Sequence, residues 1–133
     1  VRRTLVKVLC DTHIILWAFG APERLSPEAK ALLASSEHDV LYSVASLWEI
    51  VIKNGLGRAD FRVDLELLRG ELIKQDWREL PVLAKHVMTL RSLPPIHRDP
   101  FDRLLLAQAS SEGVWLLTSD DRIAAYPGPI RRV

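Results

Sequence analysis

Short apolar runs alternate with helix-forming stretches along this chain, and two of those runs lead directly to an aspartate. Leu5 to Cys10 are rich in valine and leucine, interrupted only by Lys7, and meet Asp11. Val114 to Thr118 form a second such run, followed by Ser119 and Asp120. Runs this short, apolar at neighbouring as well as alternate positions, read as strands buried on both faces. Strands of that kind belong in a parallel sheet with helices on either side. The expected fold is α/β: a three-layer α/β/α sandwich with a short central parallel sheet. At 133 residues the chain has the size of one compact domain, so residues 1–133 are expected to form a single unit.

The stretches between the runs carry helix signals. Thr12 to Phe19 read as a short helix stopped by Gly20, Ala21 and Pro22. Ser26-Pro27-Glu28 is a helix start, with serine as cap, proline in the first turn and an acid at the positive end. That helix is expected to reach about Ser36. Val40 to Tyr42 make a second strand, and Ser43 can cap a third helix. Its Val44, Leu47, Trp48 and Val51 have the spacing of a core-facing stripe, and Gly55 and Gly57 end it. Asp64 to Gln75 read as a helix, Trp77 to Val82 as an extended segment, and Val82 to Leu90 as a helix closed by Pro94-Pro95. Asp99-Pro100 opens another, ending near Glu112 and Gly113. Ile130 to Val133 suit a last strand.

Composition narrows the functional classes. Apolar residues make up 48% and charged residues 26%, which excludes disordered, collagen-like and low-complexity chains. Eighteen Lys and Arg face seventeen Asp and Glu, so there is no overall basic coat for nucleic acid. The single cysteine, Cys10, cannot form an intrachain disulfide, which suits a reduced, cytoplasmic protein. The longest uncharged run lies between Asp11 and Glu23. It is far shorter than the roughly 20 apolar residues of a membrane span, so no membrane partner is expected. Four scattered histidines (His13, His38, His86, His97) give no zinc-binding spacing. His13 and His97 stand out only because each is near an acid of interest.

The acids are the informative residues. Ligands of open parallel sheets bind beyond the carboxyl ends of the strands. Asp11 and Asp120 both reach that edge, although each also suits a helix start. Glu49 lies at the border of the stripe on the third helix. Lys53, one turn on, can pair with it, a contact that contributes only about 0.3–0.5 kcal/mol on a surface. Asp99 suits an N-cap with Pro100 in the first turn. Asp102 heads the row Asp102, Leu105, Leu106, Ala109, and a carboxylate at the head of a buried row is usually paired or metal-bound. Acids that converge on one sheet edge repel one another, and a hard divalent cation such as Mg²⁺ or Mn²⁺ relieves that repulsion.

Four segments taken together resemble the PIN-domain ribonucleases, in particular the VapC-like toxins of bacterial toxin–antitoxin pairs. They are Val8-Leu9-Cys10-Asp11-Thr12-His13, then Ser43-Val44-Ala45-Ser46-Leu47-Trp48-Glu49-Ile50, then Arg98-Asp99-Pro100-Phe101-Asp102-Arg103-Leu104-Leu105-Leu106-Ala107-Gln108-Ala109, and finally Leu116-Leu117-Thr118-Ser119-Asp120. The resemblance implies a PIN-like sandwich that hydrolyses RNA phosphodiester bonds with one or two Mg²⁺ or Mn²⁺ ions. It makes Asp11, Glu49, Asp102 and Asp120 the catalytic, metal-holding acids. Asp99 becomes a further ligand, a support for one, or only the cap, and Asp121 falls outside the site. Thr12, Ser43 and Thr118 become hydroxyls that orient acids or water. His13 stands where relatives often carry a small polar residue. The resemblance also implies an RNA substrate, a cognate antitoxin protein and a homodimer. Arg58, Arg98, Arg103 and Arg122 either contact RNA phosphates or remain solvated charges. Trp17, Trp48 and Phe19 are expected in the core, with an interface as the alternative.

Other readings compete. A phosphate-handling receiver domain has this length and an acid at a strand end. It also places two neighbouring acids at the first strand and a lysine late in the chain, whereas the last lysine here is Lys85. A dehalogenase-type phosphatase places an acid two residues after Asp11, where this chain has His13. A non-catalytic RNA- or protein-binding module on the same fold is the third. Under the ribonuclease reading the charge balance changes meaning. With Asp11, Glu49, Asp99, Asp102 and Asp120 neutralised by cations, the remaining twelve acids face eighteen bases. The chain is then an acidic pocket within a mildly basic surface.

Overall fold

A computed structural model describes residues 6–133. The expected start of the first strand at Leu5 lies outside the described residues. Strand β1 (Lys7–Cys10) leads into α1 (Thr12–Gly20), a 3₁₀ turn and α2 (Pro27–Ala34). Strand β2 (Asp39–Ser43) runs directly into α3 (Val44–Gly55), and α4 (Leu65–Lys74), β3 (Arg78–Leu80) and α5 (Ala84–Thr89) follow. The chain closes with α6 (Pro100–Glu112), β4 (Trp115–Thr118), α7 (Asp121–Ala124) and β5 (Ile130–Arg132). The five strands form one parallel sheet in the order β3-β2-β1-β4-β5. Receiver domains use the order 2-1-3-4-5, so this topology removes that reading. No helix among the described residues is long and apolar enough to cross a membrane.

Alternation along the strands builds the two outer layers. Val8, Cys10, Val40, Tyr42 and Leu117 face one core, which they share with Ile14 and Ile15 of α1, Ala29 and Leu32 of α2, and Leu68 and Leu72 of α4. Leu9 and Leu116 face the other, with Leu104, Leu105, Leu106 and Ala109 of α6 and Ile123 of α7. Each core strand therefore buries both faces, as the apolar runs require. Local chemistry sets the helix ends. Ser26 Oγ accepts from Ala29 N–H, Ser43 Oγ from Ala45 N–H, and Asp64 Oδ1 from Leu67 N–H. Gly113 closes α6 at φ 68°, a left-handed conformation that glycine adopts without a Cβ clash.

The order of the strands also locates the crevice. The chain moves from β1 to β2 on one side, and later returns to β4 on the other. The carboxyl ends of β1 and β4 therefore flank a topological switch point, where ligands of open sheets bind. Asp11 and Asp120 follow those two ends.

Helix α3 departs from the expected stripe. Its buried residues are Ala45, Ser46, Glu49 and Ile50. Trp48 and Val51 are instead 56% and 51% exposed. The helix is turned so that Glu49 faces inward, where polar partners hold it, and Trp48 instead meets Phe101 edge-on with ring centroids 4.9 Å apart. Phe19 and Trp77 do pack edge-on, 5.1 Å between centroids, against the core that α1 covers.

A polar chain ties α5, α6 and β2 together. Leu83 N–H donates to Nδ1 of the fully buried His86 (2.9 Å), so Nε2 carries the proton and donates to Glu112 (2.7 Å). Gln108 donates to Pro81 O (3.2 Å) and accepts from Ser43 Oγ (2.5 Å). Hydrogen bonds from Lys85 and His86 hold the Glu112 carboxyl below its usual range. Replacing His86 by Leu strands these partners and should lower unfolding free energy by about 1–3 kcal/mol in urea denaturation. Lys85→Ala removes only an exposed partner of Glu112 and should cost no more than about 1 kcal/mol.

Candidate metal centre

Asp11 leaves the sheet at the end of β1 and is 2% exposed. Both of its carboxylate oxygens are engaged. Oδ1 accepts from Ile14 N–H (2.8 Å), which caps α1, and Oδ2 accepts from Thr118 Oγ1 (2.5 Å). Burial raises the pKa of Asp11, hydrogen bonds from Thr118 and Ile14 pull it back, and the nearby charge of Asp120 adds to the rise; the net direction is up. Thr118 Oγ1 also accepts from Asp120 N–H (3.0 Å). One hydroxyl thus fixes Asp11 and the backbone of Asp120 relative to each other.

Asp120 caps α7, accepting from Arg122 N–H (2.8 Å) and, at 3.4 Å, from the Arg122 guanidinium. Burial works to raise its pKa, but the hydrogen bonds and charge of Arg122 outweigh that and hold the carboxyl below its usual range. Asp121, next to it, is 80% exposed and pairs with Arg132.

Glu49 comes from the inward face of α3 and is 3% exposed. Its Oε1 accepts from Thr12 Oγ1 (2.6 Å), and its Oε2 pairs with Lys53 Nζ (2.8 Å). The lysine pairing expected on a surface is thus a contact to a buried carboxylate. Thr12 Oγ1 is also hydrogen-bonded to Ser46 Oγ at 2.9 Å, a partner that sequence reasoning did not single out. Ser43 lies further back, capping α3 and donating to Gln108.

Asp102 stands in the first turn of α6, directly above Leu105 and Leu106, which are fully buried. Its Oδ2 meets His97 Nε2 at 2.8 Å. Burial pushes the Asp102 carboxyl up to about 6; the His97 hydrogen bond pulls down, while the charges of Asp99, Glu49 and Asp11 push further up. Those like charges measure the convergence: acids from β1, α3 and α6 are close enough to disturb one another. Asp99 itself caps α6, accepting from Phe101 N–H (2.9 Å) and Asp102 N–H (3.2 Å).

Among the described residues, His97, Asp102 and Asp120 form a group whose ligand atoms all lie within 4.8 Å of one another. A carboxylate pair beside an imidazole suits a divalent cation, and acids that raise one another's pKa gain most from its charge. Asp11 and Glu49 adjoin this group with their oxygens held by hydroxyls, a backbone amide and an ammonium. His97, set aside in the sequence as merely near an acid, is inside it. The signal was present in the five-residue step from His97 to Asp102 across the Asp99 cap. His13 is exposed and reaches toward Trp17, 5.9 Å between ring centroids. Of the candidate phosphate-binding arginines, Arg58, Arg98 and Arg122 are exposed, and Arg103 is half-buried with Nη2 3.5 Å from Leu93 O.

The raised pKa of Asp102 has a definite stability sign. The folded protein holds this proton more tightly than the unfolded chain, whose carboxyl has the ordinary value of 3.8. The residue therefore destabilises the fold above about pH 6, and the penalty is relieved as pH falls toward about 4. In chelator, Asp102→Asn should melt higher than the parent near pH 8, with the gap closing near pH 4 in a calorimetric pH series.

Comparisons with known proteins place the fold and the family. A family model described as PIN domain matches residues 8–129. Ribonuclease VapC22 from Mycobacterium tuberculosis is 25% identical over 136 residues, covering 94% of this chain and 95% of the relative. VapBC2 from Rickettsia felis, solved bound to a DNA fragment from its promoter, is similar with a TM-score of 0.68 at 14% identity, covering 96% of this chain and 98% of that one. VapBC-5 from Mycobacterium tuberculosis gives a TM-score of 0.60 at 20% identity, with 96% and 99% covered. At such identities the structures speak for the fold, and the family match spans nearly all of the sequence. The match over residues 8–129 takes in the parallel sheet and its switch point, and the chain belongs to the PIN-domain family.

Proposed function

We propose that this protein is a Mg²⁺- or Mn²⁺-dependent ribonuclease that hydrolyses RNA phosphodiester bonds, and that it is the toxin of a toxin–antitoxin pair. The observation that carries the reading is the convergence of Asp11, Glu49, Asp102 and Asp120 at one sheet edge, with Asp102 pushed up to about 6 by burial and its acidic neighbours. A relative named as a ribonuclease and solved toxin–antitoxin complexes of the same fold support it.

The residues divide the work by chemistry. Asp102 and Asp120 hold the cation, with Asp11 and Glu49 completing the negative pocket, and Asp99 supporting Asp102 through the cap they share. A divalent cation bound there supplies an acidified, oriented water and offsets charge on the phosphate. Thr118 keeps Asp11 and Asp120 in register, and Thr12 does the same for Glu49. Glu49 or an aspartate accepts the proton of the attacking water. Neither Cys10 nor Ser43 is placed to compete as a nucleophile. Burial, reinforced by the Asp11 charge, pushes the Cys10 thiol well above its usual range, and the Ser43 hydroxyl is committed to Gln108. Arg98, Arg103 and Arg122 contact RNA phosphates. The antitoxin covers the acidic pocket, and the working form is a homodimer in the cytoplasm.

Cleavage of labelled RNA in Mg²⁺ or Mn²⁺ should be abolished by Asp11→Asn or Asp120→Asn in protein that keeps its circular dichroism spectrum. Unchanged cleavage by highly purified variants overturns the assignment. Thr118→Val leaves every acid in place but unties two of them, and should slow cleavage by about 10–100-fold. That result would separate loss of orientation from loss of a ligand.

A further inference from the structure

We infer that His97 is a nitrogen donor to the cation of this site and biases the site toward Mn²⁺ over Mg²⁺; the inference rests on the metal-dependent reading above. The placement of the imidazole is the first argument. Nε2 of His97, an Asp102 oxygen and an Asp120 oxygen lie within 4.8 Å of one another, so one ion is within reach of all three. The same Nε2 atom already faces Asp102 Oδ2 at 2.8 Å.

The second argument is preorganisation. The His97 side chain is only 9% exposed. Its backbone is clamped at both polar groups by one buried hydroxyl: His97 N–H donates to Tyr126 Oη (2.7 Å), and Tyr126 Oη donates to His97 O (3.0 Å). The Asp99 cap fixes the chain two residues later. A surface histidine that meets an acid by chance has no such support.

The third argument is the commitment of the other acids. Asp11 is held at both oxygens by Ile14 and Thr118, and Glu49 at both by Thr12 and Lys53. Asp120 is engaged at Oδ1 by Arg122 N–H and only loosely, at 3.4 Å, at Oδ2 by the guanidinium, while the side chains of His97 and Asp102 are hydrogen-bonded to each other. To ligate, His97 presents the Nε2 lone pair with its ring proton on Nδ1, and the Asp102 oxygen turns from the imidazole to the ion. Between these two ions an imidazole favours Mn²⁺, because Mg²⁺ is the harder ion, keeps to oxygen donors and water, and gains little from nitrogen.

The test uses the full chain loaded with Mn²⁺ alone and read by pulsed electron paramagnetic resonance. The parent should show ¹⁴N modulation from a directly bound imidazole, and His97→Gln should lose it. Titration should show Mn²⁺ affinity falling by about tenfold or more in His97→Gln, with Mg²⁺ affinity much less affected. Mn²⁺ bound without nitrogen modulation, or with modulation that persists in His97→Gln, overturns the inference and leaves the ribonuclease reading standing. Absence of any Mn²⁺ binding overturns the inference, and absence of Mg²⁺ binding as well overturns the metal-dependent reading. The parent spectrum decides the question even if a variant fails to fold.

Discussion

One hydroxyl carries much of this architecture. Thr118 Oγ1 donates to Asp11 and accepts from the backbone of Asp120, joining the ends of the two strands that flank the switch point. β1 and β4 are paired in parallel up to Cys10 and Leu117, so their ends arrive level. Without that pairing the two aspartates would be unrelated surface residues. With it, they face each other across a gap of one side chain, and the helices that follow begin from fixed points. The same contact offsets part of the cost of burying Asp11, because a carboxylate fed by two donors tolerates a dry site better than a bare one.

The remaining acids are brought in by helices whose positions depend on the sheet. α3 starts at Ser43, the last residue of β2, and presents Glu49 inward two turns later. α6 crosses the opposite layer and presents Asp102 at its first turn. The Ser43–Gln108 hydrogen bond joins the start of α3 to the middle of α6, so the separation of Glu49 and Asp102 is braced from behind. Gathering like charges this way costs stability, which the two cores and the buried polar partners offset. Such local conflict with folding is expected where a protein prepares a charged site.

The strands and caps were legible in the sequence because their signals are local. Asp11 and Asp120 announced themselves by following apolar runs, and Asp99 by preceding a proline. The orientation of α3 was not legible. Its apolar residues spread over more than half of the helix surface, so periodicity pointed to Trp48 and Val51, which are exposed. What turns the helix is a set of contacts to Thr12, Lys53 and Ser46, two of which come from α3 itself and only make sense once α1 is docked. His97 was obscured for a related reason. Its partners are Asp102 and Tyr126, and the second is 29 residues away in the chain, beyond any local pattern.

The order in which the strands appear has a consequence for synthesis. Among the described strands β1 comes first in the chain yet lies in the middle of the sheet, and its neighbour β4 comes fourth of the five. Asp11 and Thr118 are 107 residues apart. A growing chain emerges from its amino end and can form β1, β2 and the first helices early. It cannot bring Asp120 to Asp11 until the residues between them have been added. The pairing of Asp11 with Thr118 and Asp120 therefore waits until β4 has been made, and a chain stopped before α6 carries Asp11 and Glu49 without Asp102 and Asp120.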